Sequence, residues 1–197
     1  MEMEFPILEY LYIEISDREW HPDFEIHHTF QAPRLCHLVM TRCPLLVMSP
    51  SLTTCAGLIT LSLMSLPFWC RHHPYDLYQR LSLLSQLVIL RIGIAHFLTQ
   101  EWEGQQLDIP FIAPLTLPNL CLFEFIGHSI YLETLLPWVT TPLIEKLQIT
   151  SLTYGISFSP RHPLPCLLQF IRKADVLDFG SVNFLFAESV ATAWVYP

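Results

Sequence analysis

Charged side chains are scarce in this sequence, and basic ones are the scarcest. Only ten of its 197 residues are Lys or Arg, against 18 that are Asp or Glu, and the formal net charge is −8. Binding to nucleic-acid phosphates requires a concentrated basic face, which ten scattered cations do not supply. A nucleic-acid partner is therefore not expected, whereas a basic or mixed-charge protein partner suits this composition.

Signals for export are also missing. Residues 1–6 carry acids where a signal peptide needs bases, and no apolar core follows them. Neither Asn119 nor Asn183 begins an Asn-x-Ser/Thr glycosylation sequence. These absences predict an intracellular protein, either cytoplasmic or nuclear.

Metal-binding and disulfide patterns are absent as well. The six cysteines contain no Cys-x-x-Cys pair, and their spacings match neither a zinc site nor a disulfide framework. Cys70, His72 and His73 are the densest group of possible ligands, and His27 with His28 is the next. Adjacent histidines of this kind are more typical of loops, so we expect buried thiols, no metal and no cofactor.

One long segment lacks charge altogether. Residues 43–70 contain no Asp, Glu, Lys or Arg, which is long enough to suggest a spanning helix. However, Pro44, Pro50 and Pro67 interrupt it, and the longest proline-free piece has 16 residues, about 24 Å of helix. We therefore expect no membrane insertion, and a membrane-associated protein using 43–70 stays a minor alternative.

What the chain does contain is a repeated segment of the form apolar-x-x-apolar-x-apolar. Its copies begin 23 to 33 residues apart. The last three positions alternate, which predicts a short strand buried on one side. The seven copies are Leu8-Leu11-Ile13, Leu35-Leu38-Met40, Leu58-Leu61-Leu63, Leu87-Leu90-Ile92, Leu120-Phe123-Phe125, Ile144-Leu147-Ile149 and Ala174-Leu177-Phe179.

The segments between the copies predict turns and helices. Pro33, Gly57, Pro118 and Pro142 each stand shortly before a copy and end the preceding segment. Helical spacing of apolar residues occurs in 76–84, after Ser129, and in 167–171.

Together these features predict an α/β fold, a leucine-rich-repeat solenoid of about seven irregular repeats in a single domain spanning 1–197. Its parallel sheet would be curved, with helices and irregular segments on the convex side. Only Cys43 matches the Asn or Cys that follows the motif in regular repeats. Segments 184–186 and 193–196 look like strand material without a polar cap, so we expect uncapped ends.

The chain resembles the fungal family of F-box proteins with leucine-rich repeats. In that family an F-box binds the adaptor of a cullin-type ubiquitin ligase, and the repeats receive the substrate. The first copy of the motif begins at Leu8, so we expect a fragment of a longer receptor that meets the adaptor only if an F-box lies upstream. The phrases that carry the resemblance are 32–38, 57–63, 117–120, 131–147, 167–170 and 194–197.

The resemblance and the repeats imply a protein-binding module rather than an enzyme. On a curved solenoid, the residue at the middle of each strand lines the concave face. We expect the unknown protein substrate to contact this column, above all through Tyr12, Arg91, Glu124, Gln148 and Asp178; Val39 and Ser62 complete it. A decayed repeat fragment with no independent activity is the main alternative.

A serine hydrolase is a further minor alternative. Gly127-His128-Ser129 lies between a predicted strand and a predicted helix, as a nucleophile elbow does. Tyr131 replaces the second Gly of that motif, and no oxyanion segment of the HGGG type occurs. We therefore expect no catalytic residue here and interpret Ser129 as a helix cap.

Overall fold

The structure, a computed structural model, describes residues 3–15, 30–43, 55–66, 74–94, 114–152, 165–173, 181–187 and 190–196. Within them, four two-residue strands form two small parallel pairs, β1 (Met3–Glu4) with β3 (Phe30–Gln31) and β7 (Leu115–Thr116) with β9 (Val139–Thr140). The main sheet contains β2 (Tyr10–Glu14), β4 (His37–Thr41), β5 (Thr60–Leu66), β6 (Ile89–Ile94), β8 (Leu122–Gly127), β10 (Lys146–Leu152), β11 (Ser181–Ala187) and β12 (Val190–Tyr196).

Six of the main-sheet strands run parallel to one another, in the order β2-β4-β5-β6-β8-β10. Each contains the last two apolar positions of one of the first six copies of the sequence motif, so the predicted parallel pairing of these copies is confirmed. The fold is α/β and is compatible with a solenoid-like arrangement.

The end of the sheet beyond β10 differs from the prediction of a seventh parallel strand. β12 pairs with β10 and runs antiparallel to it, and β11 pairs antiparallel with β12 as the outermost strand. The predicted seventh copy, 174–179, lies outside the described residues. A hairpin from the last part of the chain, predicted only as strand material, occupies that place.

One face of the sheet is buried because apolar side chains alternate along each parallel strand. The burial in β8 alternates strictly, and Phe123 and Phe125 are 3% and 0% exposed. Residues at the same register position of successive strands stack into two apolar rows. These rows are Leu11-Leu38-Leu61-Leu90-Phe123-Leu147 and Ile13-Met40-Leu63-Ile92-Phe125-Ile149.

Three described helices contribute to this core: α1 (Pro74–Leu81), α2 (Ser129–Leu135), which continues as a 3-10 turn (Leu136–Trp138), and α3 (Pro165–Lys173). The Phe123 ring lies edge-on to Phe170 of α3, with centroids 6.5 Å apart, and the Phe125 ring stacks on Tyr131 of α2 at 6.3 Å. These helices therefore lie on the side of the sheet that carries the apolar rows, and we call the opposite side the open face.

The prolines before the strands belong to a turn that recurs at the same distance from each strand. The Leu35 N–H donates to the carbonyl of Ala32 at 3.0 Å, and the Leu120 N–H to that of Leu117 at 3.3 Å. Pro33 and Pro118 hold the second position of these turns, where a fixed φ near −65° is favourable. The prolines in the sequence thus fix the turn from which the chain enters the strand.

A second recurrent feature links each strand entry to the next one. The carbonyl of Cys36 accepts hydrogen bonds from the N–H groups of Ile59 and Thr60, at 2.8 and 2.9 Å. The same double acceptance occurs at five successive strand entries. The backbone N–H groups at these entries therefore all have hydrogen-bond partners, at equivalent positions across the parallel sheet. The accepting carbonyls are those of Glu9, Cys36, Ile59, Val88 and Cys121.

Cys43 stands at the end of β4 in the position that the sequence singled out. Its thiol is buried and donates to the carbonyls of Thr41 at 3.4 Å and Ile13 at 3.7 Å, so it joins two successive strands. Burial raises the pKa of Cys43 to about 11. The neighbouring Arg42 and, at the equivalent position of β5, Ser65 adopt positive φ values of 60° and 52°. Ser65 lies at the irregularity in the pairing of β5 with β6, after which Leu66 pairs with Ile94.

A side chain of α2 caps the N-terminus of α3. The carboxylate of Glu133 in α2 accepts hydrogen bonds from the N–H groups of Cys166 and Leu167, at 2.9 and 3.0 Å. These N–H groups belong to the first turn of α3 and have no partner inside that helix. A negative charge at this end of α3 is also favoured by the helix dipole.

Replacing Glu133 by Ala should therefore lower the free energy of unfolding by about 1 to 2 kcal/mol, because two N–H groups lose their acceptor. Urea denaturation followed by circular dichroism measures this loss. Glu145→Ala, at an exposed position just before β10, is the control and should change stability by less than about 0.5 kcal/mol. Equal effects of the two variants would show that the cap contributes nothing.

Candidate functional site

The predicted column of outward residues is continuous across the parallel sheet. Tyr12 pairs in register with Val39, Val39 with Ser62, and Ser62 with Arg91. Arg91 then pairs with Glu124, and Glu124 with Gln148. We call these six residues the outward column; they lie on the open face, opposite the helices.

An ion pair lies at the centre of the outward column. Nε of Arg91 is 3.2 Å from Oε2 of Glu124 on the adjacent strand, and their side chains are 42% and 22% exposed. An exposed pair of this kind contributes little to folding, about 0 to 1 kcal/mol. Its polar groups are therefore available for a partner at little cost to the fold.

Apolar side chains flank this ion pair along the strands. Ile89 and Leu122 are neighbours in register two residues before the pair, and Ile126 lies two residues after Glu124. All three are partly exposed on the open face. Sequence reasoning missed them because it considered only the middle position of each strand, although the alternation of the motif places them on the same face.

The beginning of the outward column is aromatic. Tyr10 and Tyr12 on β2 are 57% and 50% exposed. The Tyr10 ring lies 6.4 Å from that of His37, and Nδ1 of His37 is 3.1 Å from Oγ1 of Thr60. Exposed tyrosines on a sheet are common in protein interfaces, because they bury a large area with few rotatable bonds.

Tyr12 is also held by a charged neighbour. Its hydroxyl donates to Oε2 of Glu14 at 2.6 Å, and this hydrogen bond raises the pKa of Tyr12. The other carboxylate oxygen of Glu14 is 3.9 Å from Nη1 of Arg42, the residue that follows β4. The aromatic end thus carries an ordered polar network.

The far end of the predicted column is partly outside the described residues. Asp178 lies there, and its position relative to the column is not described. In the sheet, the register position beside Gln148 belongs to Trp194 of β12, followed by Asn183 of β11. The sequence motif gave no signal for these two positions because they belong to antiparallel strands.

The segment considered for a nucleophile elbow has a structural explanation. α2 begins at Ser129, and the His128 carbonyl accepts the first helical hydrogen bonds, so His128 rather than Ser129 holds the capping position. A Cβ on Gly127 would lie 3.0 Å from Cζ of Phe125, which explains the glycine. Tyr131, where the elbow needs its second glycine, is 3% exposed.

The hydroxyl of Tyr131 is buried and has no hydrogen-bond partner among the described residues. Burial, with a smaller contribution from the charge of Asp76, raises the pKa of Tyr131. Arg80 of α1 also has two buried nitrogens, Nε and Nη1, without a described partner, and burial lowers its pKa. These polar atoms cost stability rather than supply it.

Replacing Tyr131 by Phe should accordingly leave the free energy of unfolding unchanged or raise it by up to about 1 kcal/mol. Tyr131→Ala should instead lower it by about 3 to 5 kcal/mol, because the buried ring is lost. Thermal or urea denaturation distinguishes them. A loss above about 1 kcal/mol for Tyr131→Phe would mean that the hydroxyl has a partner.

Candidate metal ligands at Cys70, His72, His73, His27 and His28 lie outside the described residues. Within the described ranges, no group of three or more His, Cys, Asp or Glu is placed to hold a metal ion. Cys43 and Cys55 are buried there, and no disulfide is formed by the described cysteines.

The uncharged segment 43–70 is described only at 43 and 55–66, and β5 occupies 60–66. None of the helices in the described residues combines the length and the apolar character that crossing a bilayer requires.

The fold and its open face define an α/β protein with a row of aromatic, charged and polar side chains across its parallel strands. In this row Ser62 is buried, at 4% exposure, whereas Tyr12 and Arg91 are 50% and 42% exposed. No model of a known protein family, no curated protein and no solved structure matches this chain. The functional interpretation therefore depends on the residues of the open face.

Proposed function

We propose that the chain is a leucine-rich-repeat protein of the F-box receptor type, whose open face is the concave side of a solenoid and binds another protein. The observation that carries the proposal is the outward column, in register over six parallel strands. Such a surface is long, rigid and faces away from the helices, which suits recognition of a macromolecule.

The composition of the open face supports protein binding in particular. It combines exposed Tyr10 and Tyr12 with Arg91, and Tyr and Arg are enriched in the residues that dominate binding energy. The partly exposed Ile89 and Leu122 add apolar area around the charge. In the proposed role, the captured protein is the substrate of a ubiquitin ligase and an F-box supplies the adaptor contact.

The recurring turns and double carbonyl acceptors support a repeat protein. Each unit contains the turn, the strand entry and the strand in the same order, although the connecting segments differ in length. In a solenoid each unit contacts only its neighbours, which is the arrangement proposed here.

The proposal is tested by removing the central ion pair. Arg91→Ala combined with Glu124→Ala should reduce capture of the partner more than about tenfold, because the charged centre of the interface is lost. Affinity purification with quantitative mass spectrometry measures capture, and far-UV circular dichroism should stay unchanged.

The matched control is Gln169→Ala combined with Arg172→Ala, which removes exposed polar side chains from α3. It should retain every protein that the wild-type chain captures. If the Arg91/Glu124 variant retains them equally, the open face is not the binding surface.

A further inference from the structure

We propose that the open face binds an extended partner segment of the pattern apolar-x-acidic-x-apolar, whose carboxylate contacts Arg91 while its apolar side chains lie on the flanking apolar residues. The inference rests on the proposed function and specifies the class of partner.

The pattern follows from three successive rows on the open face. The first contains Ile89 and Leu122, the second Arg91 and Glu124, and the third Gly93 and Ile126. Outward residues two apart along a strand are separated by about 6.6 Å. An extended segment lying along β6 and β8 has the same spacing between side chains on one of its faces, so it meets apolar, charged and apolar rows in turn.

An acidic residue fits the central row better than a basic one. The Arg91 side chain is 42% exposed, nearly twice the 22% of Glu124. The ion pair engages Nε, and it is the only ion pair of this guanidinium within the described residues. A guanidinium has five N–H donors, and in the proposed complex those of Nη1 and Nη2 make a bidentate contact with the partner carboxylate.

The net charge of −8 acts in the opposite direction, because it disfavours the approach of an acidic segment. That long-range effect is screened over about 8 Å at physiological ionic strength. The contact itself is decided by the groups at the face, where Arg91 is more accessible than its acidic neighbour. Salt should therefore change the association rate more than the specificity.

The third row can adapt to the partner's second apolar residue. Gly93 has no side chain, and the Met64 side chain lies over it, with Cε 3.1 Å and Sδ 3.2 Å from the position of a Cβ. Methionine is flexible and changes rotamer at low cost, which suits a surface that accepts different apolar residues. Ile126 forms the other side of this row.

The test starts from a random twelve-residue peptide library displayed on phage and selected on the immobilised wild-type chain. We expect enriched sequences with Asp or Glu at the centre and apolar residues two positions before and after it. One enriched peptide is then synthesised with a fluorophore, and fluorescence anisotropy gives its affinity for each variant.

Arg91→Gln should lower the affinity for this peptide about tenfold or more. Glu124→Gln should raise that affinity a few-fold, because the carboxylate that competes for Arg91 is removed. Gln169→Ala on α3 should leave it unchanged. Replacing the peptide's acidic residue by its amide should lower the affinity as much as Arg91→Gln does. The two changes together should lower it little more than either alone, because they remove the same contact.

If basic peptides are enriched instead, and Glu124→Gln lowers their affinity, the acidic pattern is wrong but the proposed function stands. Peptide binding that responds to neither variant would overturn the location. If no peptide is enriched while the Arg91/Glu124 double variant still loses its captured protein, recognition of a linear segment is wrong and the proposed function stands. Retention of that protein would overturn both.

Discussion

Replacing Ile92 by Asp should abolish cooperative folding, whereas Arg91→Asp, one residue earlier in β6, should leave the chain folded. Ile92 is 0% exposed and lies in the apolar row between Leu63 and Phe125. The neighbours of Ile92 in register, Leu63 and Phe125, offer a carboxylate neither a cation nor a side-chain donor. Its lost hydration would cost more than about 4 kcal/mol, a large part of the stability of a domain. Arg91 points to the open face, where a carboxylate remains hydrated.

Heat denaturation followed by circular dichroism compares the two variants directly. The expected result is no cooperative transition for Ile92→Asp and a transition near that of the wild type for Arg91→Asp. The apposed Glu124 makes Arg91→Asp slightly unfavourable, by about 0.5 kcal/mol, since like charges would face each other across the strands. If both variants unfold alike, the two faces of the sheet have been assigned wrongly.

Phe125→Ala should lower the free energy of unfolding by about 3 to 5 kcal/mol, as much as Tyr131→Ala. The ring is fully buried and packs against Ile92 and Ile149 in register and against the ring of Tyr131 in α2. Its removal leaves a cavity between sheet and helix that the rigid strand cannot close. Urea denaturation measures the loss as a lower midpoint at unchanged slope.

Two further variants test whether the cavity is the cause of the stability loss in Phe125→Ala. Phe125→Leu keeps most of the volume and should cost about half as much or less. Leu122→Ala, in the same strand but on the open face, should cost about 1 kcal/mol or less because the side chain is already partly exposed. Equal losses at 122 and 125 would contradict the burial of only one face.

The sequence predicts the parallel strands well because their signal is local and repeated. Each motif places two apolar residues on one side. Pro33, Pro118 and Pro142 each stand two residues before the first apolar position of their copy and fix a turn there. The register that brings Arg91 beside Glu124 follows from aligning the copies. The helix predicted at 76–84 is also present, but it begins at Pro74 and ends at Leu81, since a turn precedes the next strand.

Other features depend on contacts between distant residues and have no local signal. Segment 193–196 is predicted as strand material, but nothing in it predicts the antiparallel direction of β12 beside β10. Nothing in the spacing indicates that Glu133 caps a helix 33 residues later, as its hydrogen bond to Cys166 shows. The bulge at Ser65, with its positive φ, likewise follows from the packing of β5 on β6.

The same distinction applies to the open face. The middle residues of the strands were predicted as a partner-binding column, and their continuity is a consequence of the register. The difference in exposure between Arg91 and Glu124 required the structure, because aligning the copies predicts their pairing but not how much of each side chain reaches solvent. The Met64 side chain over Gly93 could not be inferred from the motif either.

Site-specific photo-crosslinking tests the binding surface most directly. A benzophenone side chain is introduced at Leu122 on the open face or at Leu168, which is 50% exposed on α3. The open-face account predicts that the captured protein crosslinks to position 122 and not to position 168, and that Arg91→Ala with Glu124→Ala removes the product. Crosslinking from position 168 with none from position 122 would contradict it.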